Sequence, residues 1–335
     1  MTQKSVLIIG GAGYVGSSLT RELLAQGHEV TVLDALLYDN AAAMVGVFED
    51  PSFSFVRGDF TDAKTLSSAL AGKTDVVLLA ALVGDPICKK YPDDALAINQ
   101  HAPMALIDRL DEFGVKRFVF ASTCSNYGLR ASEDLATEDA ELNPVSLYAQ
   151  TKVAVERYIF ERFRSLSAIP TVVRLATAHG LSPRMRFDLT VAEFARELAL
   201  GRDLLVYDQD TWRPYCHVRD ISTAIRTVLD AEPEAVRGEV FNIGGTDENF
   251  TKRGIVEIIA KTLGGPANVT YKEGGHDPRN YRVSFEKAAK VLGFRPEFGV
   301  SRSVPDVVAA VKSGAFDDYD LRKNFYGNYA IRRDA

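Results

Sequence analysis

The most constraining feature of this sequence is a run of glycines placed where a strand ends and a helix begins. The apolar stretch Val6-Leu7-Ile8-Ile9 leads directly into Gly10-Gly11-Ala12-Gly13-Tyr14-Val15-Gly16, and a helical pattern runs from Val15 to Gln26. A chain turns that tightly only where side chains are missing. The same absence lets backbone N–H groups and the positive end of a helix approach an anion such as a pyrophosphate. A glycine fingerprint alone is weak; a strand before it and a helix after it supply the context in which it binds a dinucleotide. The spacing fits both Gly11-x-Gly13-x-x-Gly16 and Gly10-x-x-Gly13-x-x-Gly16, and the glycines do not choose between them.

The rhythm continues through the first half of the chain. Strands are predicted at Val6–Ile9, Glu29–Leu33, Phe53–Val56, Val76–Leu79, Arg117–Phe120 and Thr171–Leu175. They lack strict alternation, as strands buried on both faces do. Helices are predicted at Val15–Gln26, Ala63–Ala71, Ala95–Phe113 and Leu147–Phe163. This alternation predicts an α/β fold with a doubly wound parallel sheet of the Rossmann type. After Leu175 the pattern loosens: helices are expected at Val191–Leu200, Ile221–Leu229, Gly254–Leu263, Phe285–Val291 and Val304–Ser313, and strands at Leu204–Tyr207 and Glu239–Ile243. The expected division is a nucleotide-binding domain from 1–175 and 206–246, and a smaller α/β substrate lobe from 176–205 and 247–335. The aromatic tail Phe316–Tyr329 is expected to dock on the body or on a partner subunit.

Composition narrows the class. Of 335 residues, 46% are hydrophobic and 25% charged, which excludes a disordered or collagen-like chain. A net charge of −6 speaks against a broad nucleic-acid surface, because phosphate tracks need concentrated Lys and Arg. Cys88, Cys124 and Cys216 form no CxxC pair, so neither a metal site nor a disulfide framework is expected, and reduced thiols suit a cytoplasmic protein. The longest apolar run, Val76–Val83, is far short of a membrane span.

Several side chains then point to chemistry. Asp34 ends the second strand, where a carboxylate accepts hydrogen bonds from ribose hydroxyls and repels a 2′-phosphate, which favours NAD over NADP. Asp59, after the third strand, either contacts the adenine edge or caps the next helix. Tyr148 and Lys152 share a helix face at i and i+4, behind Ser146 as a cap. An ammonium beside a phenol is expected to lower the phenol's pKa, so that it exchanges protons near neutral pH. Thr123, ending the fifth strand, can hold the same substrate hydroxyl, and Asn99 can fix the backbone nearby.

Together these residues resemble the extended short-chain dehydrogenase/reductases of the nucleotide-sugar epimerase/dehydratase family, which includes UDP-galactose 4-epimerase. The resemblance spans nearly the whole chain and rests on the glycine run, Asp34, Asn99, Ser122-Thr123, Tyr148-x-x-x-Lys152, Arg174 and Arg213-Pro-Tyr-Cys-His-Val-Arg-Asp220. It implies NAD, held by Gly10, Gly13, Tyr14, Val15, Gly16, Asp34, Asp59, Phe60, Ala80, Ala81, Asn99, Tyr148 and Lys152. It implies a nucleotide diphosphate sugar as substrate, contacted by Thr123, Thr177, Arg213 and Arg279, with Arg184 and Arg186 as further candidates for its phosphates. A homodimer joined by a four-helix bundle near Asn99–Phe113 and Leu147–Phe163 is implied as well. The catalytic set would be Tyr148, Lys152 and Thr123.

The departures are informative. Thr177 stands where most relatives have Asn. The segment Val83-Gly84-Asp85-Pro86-Ile87-Cys88-Lys89-Lys90 resembles a subgroup that includes GDP-heptose C4 dehydrogenases. The 4,6-dehydratases carry Asp-Glu after the catalytic Thr; here Cys124-Ser125 follow, which disfavours dehydration. Some 3,5-epimerases use a Cys where this chain has Ser125, and Cys124 is expected to pack rather than react. His179 and His217 are expected to be structural. The expected activity is epimerisation through a 4-keto sugar. C4 dehydrogenation or 4-ketoreduction uses the same atoms and stays open, and 3,5-epimerisation or nucleotide sensing without turnover stands further off.

Overall fold

The structure is a computed structural model that describes residues 3–130, 134–275 and 279–332. Twelve strands lie within them: β1 Ser5–Ile9, β2 Glu29–Asp34, β3 Phe53–Arg57, β4 Asp75–Leu78, β5 Arg117–Thr123, β6 Ile169–Leu175, β7 Thr177–His179, β8 Leu204–Tyr207, β9 Trp212–His217, β10 Val240–Ile243, β11 Asn249–Thr251 and β12 Val269–Lys272. Seven form one parallel sheet in the order β10-β6-β5-β4-β1-β2-β3. The order reverses between β1 and β4, so a crevice opens beyond their carboxyl ends, where α/β sheets bind ligands.

Both faces of this sheet are covered, as its apolar strands require. Val6 and Ile8 point into one core with Leu19 and Leu23 of helix Tyr14–Ala25 and Ile221 and Ile225 of helix Val218–Asp230. Leu7 and Ile9 point into the other, with Leu66, Leu106, Ile107 and Ile159. Strand side chains alternate between faces, so four consecutive apolar residues feed two cores. A third core gathers Phe194, Val206, Ile259, Val304 and Val307 with Phe325 and Tyr326 of the tail. It sits beside a three-stranded sheet, β11-β9-β7, and a parallel pair, β12-β8.

Two local readings change. The helix expected over Ala95–Phe113 is three pieces: Pro92–Leu96, a π-helical turn Ala97–His101, and Ala102–Arg109. Pro103 has no N–H to return to residue 99, so the ladder widens at that point. Residues Trp212–His217, where no strand is expected from the sequence, form β9, which pairs with β7 in parallel and with β11 antiparallel. Three-residue partners such as β7 and β11 leave no periodicity to read. Among the described residues no helix is long and apolar enough to cross a membrane, and no group of His, Cys, Asp or Glu could hold a metal ion.

Candidate active site

The glycine run turns from β1 into helix Tyr14–Ala25 at the crevice. Gly10 has φ +88°, and a Cβ there would lie 2.6 Å from the Ala80 nitrogen. A Cβ on Gly16 would lie 2.3 Å from the Gly10 oxygen, and one on Gly11 would meet Val32 at 2.5 Å. Both spacing variants are therefore sterically enforced. Gly13 caps the helix with no side chain, so the first-turn N–H groups face the crevice as donors for an anion. This cradle fits a dinucleotide pyrophosphate.

Asp34, at the end of β2, braces the same turn. Its Oδ2 accepts from the Ala12 N–H (2.9 Å) and its Oδ1 from the Leu36 N–H (2.8 Å). Burial pushes its carboxyl up, and these bonds oppose the shift. Each oxygen keeps a second lone pair for a ribose hydroxyl. Asn99 lies in the π-helical turn and clamps Leu82 on both sides: Oδ1 accepts from its N–H (2.8 Å), and Nδ2 donates to its carbonyl (3.0 Å). That fixes the segment after β4 containing Ala80 and Ala81. Tyr14 donates its hydroxyl to the Gly180 carbonyl (2.6 Å), and Val15 packs half-buried beside it. Asp59 accepts from the Thr61 N–H (2.9 Å) in a tight turn, whereas the cap of helix Ala63–Leu70 is Asp62. Phe60 is buried with Leu33 and Leu66.

Thr123, Tyr148 and Lys152 converge where β5 ends. Ser146 caps helix Leu147–Arg162, and the Thr123 side chain is close enough to the Tyr148 hydroxyl to favour its ionised form. Lys152 is 2% exposed; its Nζ donates to the Ala121 carbonyl (2.8 Å) and lies 4.7 Å from the Phe120 ring centre. Burial pushes the ammonium down to about 8. One expectation is corrected here: the Tyr148 phenol is raised, not lowered. Burial is the largest cause, Cys88 and Asp85 add to it, and the opposing influences are Arg186 and Thr123 rather than Lys152. Sharing a helix face brings the lysine near, but desolvation of the phenolate outweighs its charge.

Across the crevice, β9 carries Arg213, whose Nη1 donates to the carbonyls of Trp212 (2.7 Å) and Arg279 (2.6 Å). Arg279 Nη1 donates to Ser125 Oγ (3.0 Å), as the Tyr281 hydroxyl does (3.4 Å). Ser125 in turn donates its N–H to Thr123 Oγ1 (3.1 Å). The structure thus joins Arg213 and Arg279 to the Thr123 end of β5. It places Arg184 beside the tail, and Arg186 near enough to Tyr148 for its charge to act on the phenol. Arg184 Nη2 donates to Asn324 O, Gly327 O and Asn328 Oδ1 (2.8 Å for the last) and lies 5.0 Å above the Tyr38 ring. Arg186 grips Asp188 through two bonds of 2.8 and 2.7 Å. Thr177 heads β7 opposite Tyr215, half-buried.

The tail closes one edge of this region. Asn328 Nδ2 donates to Val83 O (3.4 Å), and the Arg332 N–H donates to Leu37 O (2.9 Å). Behind the site, Glu156 receives Arg174 in a buried ion pair (2.7 Å), together with Asn126 and Ser122. Cys124 Sγ donates to Arg174 O (3.3 Å), and burial raises its thiol, so it packs there. His179 bonds Ser303 (2.8 Å) and His217 caps helix Val218–Asp230, both held neutral by burial, at about 3 and about 4. The reading of the sequence did not single out Asp85, Tyr281, Glu156 or Asn328. Only Asp85 left a signal, in the unusual Gly84-Asp85-Pro86.

A sheet with this crevice, this glycine turn and this Thr/Tyr/Lys group defines a dinucleotide-dependent enzyme of the Rossmann class. Residues 6–244 match the model of the NAD dependent epimerase/dehydratase family, and the chain belongs to that family. It is an enzyme, and its cofactor is NAD. It is 30% identical over 328 residues to the UDP-glucose 4-epimerase of Lactobacillus helveticus, covering 91% of this chain and 94% of that one. It is 29% identical over 317 residues to the dTDP-glucose 4,6-dehydratase of an Actinoplanes species, covering 91% and 96%. Its fold matches the Thermus thermophilus UDP-glucose 4-epimerase, solved with NAD, with a TM-score of 0.78 at 25% identity over 92% of this chain and 98% of the other.

Proposed function

We propose that this enzyme epimerises a nucleotide diphosphate sugar at C4 through a transient ketone. The observation that carries the reading is the convergence of Thr123, Tyr148 and Lys152 at the crevice, with Arg213 and Arg279 on the facing side. NAD+, when bound, supplies the hydride acceptor and a positive ring charge. Gly10, Gly13 and Gly16 would hold its pyrophosphate, and Asp34 a ribose. Thr123 orients the C4 hydroxyl, and Tyr148 takes its proton as the C4 hydride leaves, once the positive charge of the bound cofactor offsets the burial that raises the phenol. Arg186 and Thr123 favour negative charge on the phenol at that moment. Return of the hydride to the opposite face of C4, with the proton going back from Tyr148 to the C4 oxygen, would complete the cycle without net oxidation.

The pair Cys124-Ser125, with the thiol buried against Arg174 O, supports epimerisation over 4,6-dehydration, which needs an acid and a base at that turn. The proposal includes the division into two lobes and a homodimer through the helices around 99–113 and 147–163. The test is incubation of the NAD-loaded enzyme with UDP-, dTDP- and GDP-hexoses. A C4 epimer without accumulating NADH is expected. Tyr148→Phe should lower the rate by about 10²–10⁴-fold while retaining NAD. Stoichiometric NADH with a released ketone would make it a dehydrogenase, and a 4-keto-6-deoxy product a dehydratase.

A further inference from the structure

One carboxylate in the site has no part in that reaction. Asp85 follows Gly84 after β4 and opens the short helix Asp85–Lys90. Its Oδ2 lies 3.5 Å from Arg279 Nη2, and its side chain is 17% exposed. Its Oδ1 is buried and has no hydrogen-bond partner. A carboxylate oxygen withdrawn from water without a donor is costly, and such atoms in folded proteins are few. If Asp85 served only to seat Arg279, its second oxygen would gain nothing from burial.

The position says what the donor is. Asp85, Arg279, Ser125 and Thr123 form a continuous line from the loop after β4 to the end of β5. Arg213 joins the line through the Arg279 carbonyl. Asp85 is also near enough to Tyr148 for its charge to be felt at the phenol. It therefore lies between the group proposed to act on the sugar and the guanidinium groups proposed for the diphosphate. The sugar ring must lie there, and what a sugar offers is hydroxyl donors.

We propose that Asp85 is a specificity residue whose Oδ1 accepts a hydrogen bond from a sugar hydroxyl other than the one oxidised. The inference rests on the nucleotide-sugar reading above and deepens it. The substrate class that follows is a neutral, fully hydroxylated sugar. A uronic acid would set its carboxylate against the carboxylate of Asp85. A sugar lacking the contacted hydroxyl would leave the Oδ1 acceptor unpaired, which is how sites built around a hydroxyl reject deoxy analogues.

The experiment compares the wild-type holoenzyme with Asp85→Asn and Asp85→Ala. The probes are UDP-, dTDP- and GDP-glucose, their 2-, 3- and 6-deoxy analogues, UDP-glucuronic acid, and the free nucleoside diphosphates. For the accepted glucose nucleotide, KM should rise about ten- to a hundredfold in both variants, a larger change than that in kcat. One deoxy analogue should be poor for wild type yet no worse for Asp85→Ala. Discrimination against UDP-glucuronic acid should weaken about tenfold in Asp85→Asn. Affinity for the free nucleoside diphosphate should stay the same. Unchanged sugar discrimination in both variants overturns the proposal. So does an equal loss of nucleoside diphosphate and sugar affinity, which would mean that Asp85 only seats Arg279. Absence of any wild-type turnover would sink the parent reading instead, and calorimetric binding of the same probes would then decide the role of Asp85 by the same comparisons.

Discussion

Replacing Lys152 by methionine separates what this residue does for the reaction from what it does to the fold. The side chain is 2% exposed, and its ammonium has one hydrogen bond, to the Ala121 carbonyl. Burial lowers its pKa from 10.5 to about 8. That shift corresponds to about 3 kcal/mol of penalty for holding the charged form in the folded protein. Below pH 8 the lysine is charged in both the folded and unfolded states, and the full penalty applies. Between about 8 and 10.5 the folded form sheds its proton while the unfolded form keeps it. The unfolded state then binds more protons, so folding stability rises with pH. Methionine carries no charge and fills the same channel. The assay is urea unfolding of the cofactor-stripped wild type and Lys152→Met, measured in steps from neutral pH to about pH 10. Subtracting the variant removes every other titration. Near neutral pH the variant should be the more stable by about 2 kcal/mol, allowing about 1 kcal/mol for the lost hydrogen bond. The gap should close and reverse as pH rises through 8 to 10, while sugar turnover by the variant stays abolished. A difference independent of pH over that range would refute the burial argument, because it would mean the ammonium is not desolvated.

Two further outcomes follow from buried contacts. Glu156→Gln strips the counter-charge from Arg174, whose pair is 4% and 1% exposed, and should destabilise the protein by about 3 kcal/mol in denaturant unfolding. Replacing both partners by Met and Leu should recover most of that, and a neutral Glu156→Gln would show that the pair contributes nothing. Asn328→Ala removes one of three acceptors from Arg184 and the tail's bond to Val83. NAD release, followed by cofactor fluorescence after reduction, should then quicken about fivefold. An unchanged release rate would show that the tail does not hold the cofactor edge closed.

The residues differ in how much of this could be read before folding. Strands β1 to β6 and the helices between them lie within a few residues of where the apolar periods placed them, because those periods are set by local backbone geometry. The helix over 95–113 was broken by Pro103, a local rule that the apolar pattern overrode. The short strands β7 and β11 exist only because β9 lies between them. In the site, Asn99 and Ser146 make the backbone contacts expected of them. Arg184 bonds the tail while Arg186 grips Asp188 within charge range of Tyr148, contacts that depend on how separate elements pack.

By itself, then, the sequence determined the glycine turn, the parallel sheet and the i, i+4 spacing of Tyr148 and Lys152. Each depends on neighbours a few residues away, through sterics and hydrogen-bond periodicity. Only the tertiary structure decided which way the Tyr148 pKa moves, since burial sums over groups from separate elements. The meeting of Asp85 with Arg279 and of Arg279 with Ser125, 154 residues away in the chain, was likewise settled by packing. Contacts at that separation leave no period in a sequence, because what brings them together is the shape of the closed cores.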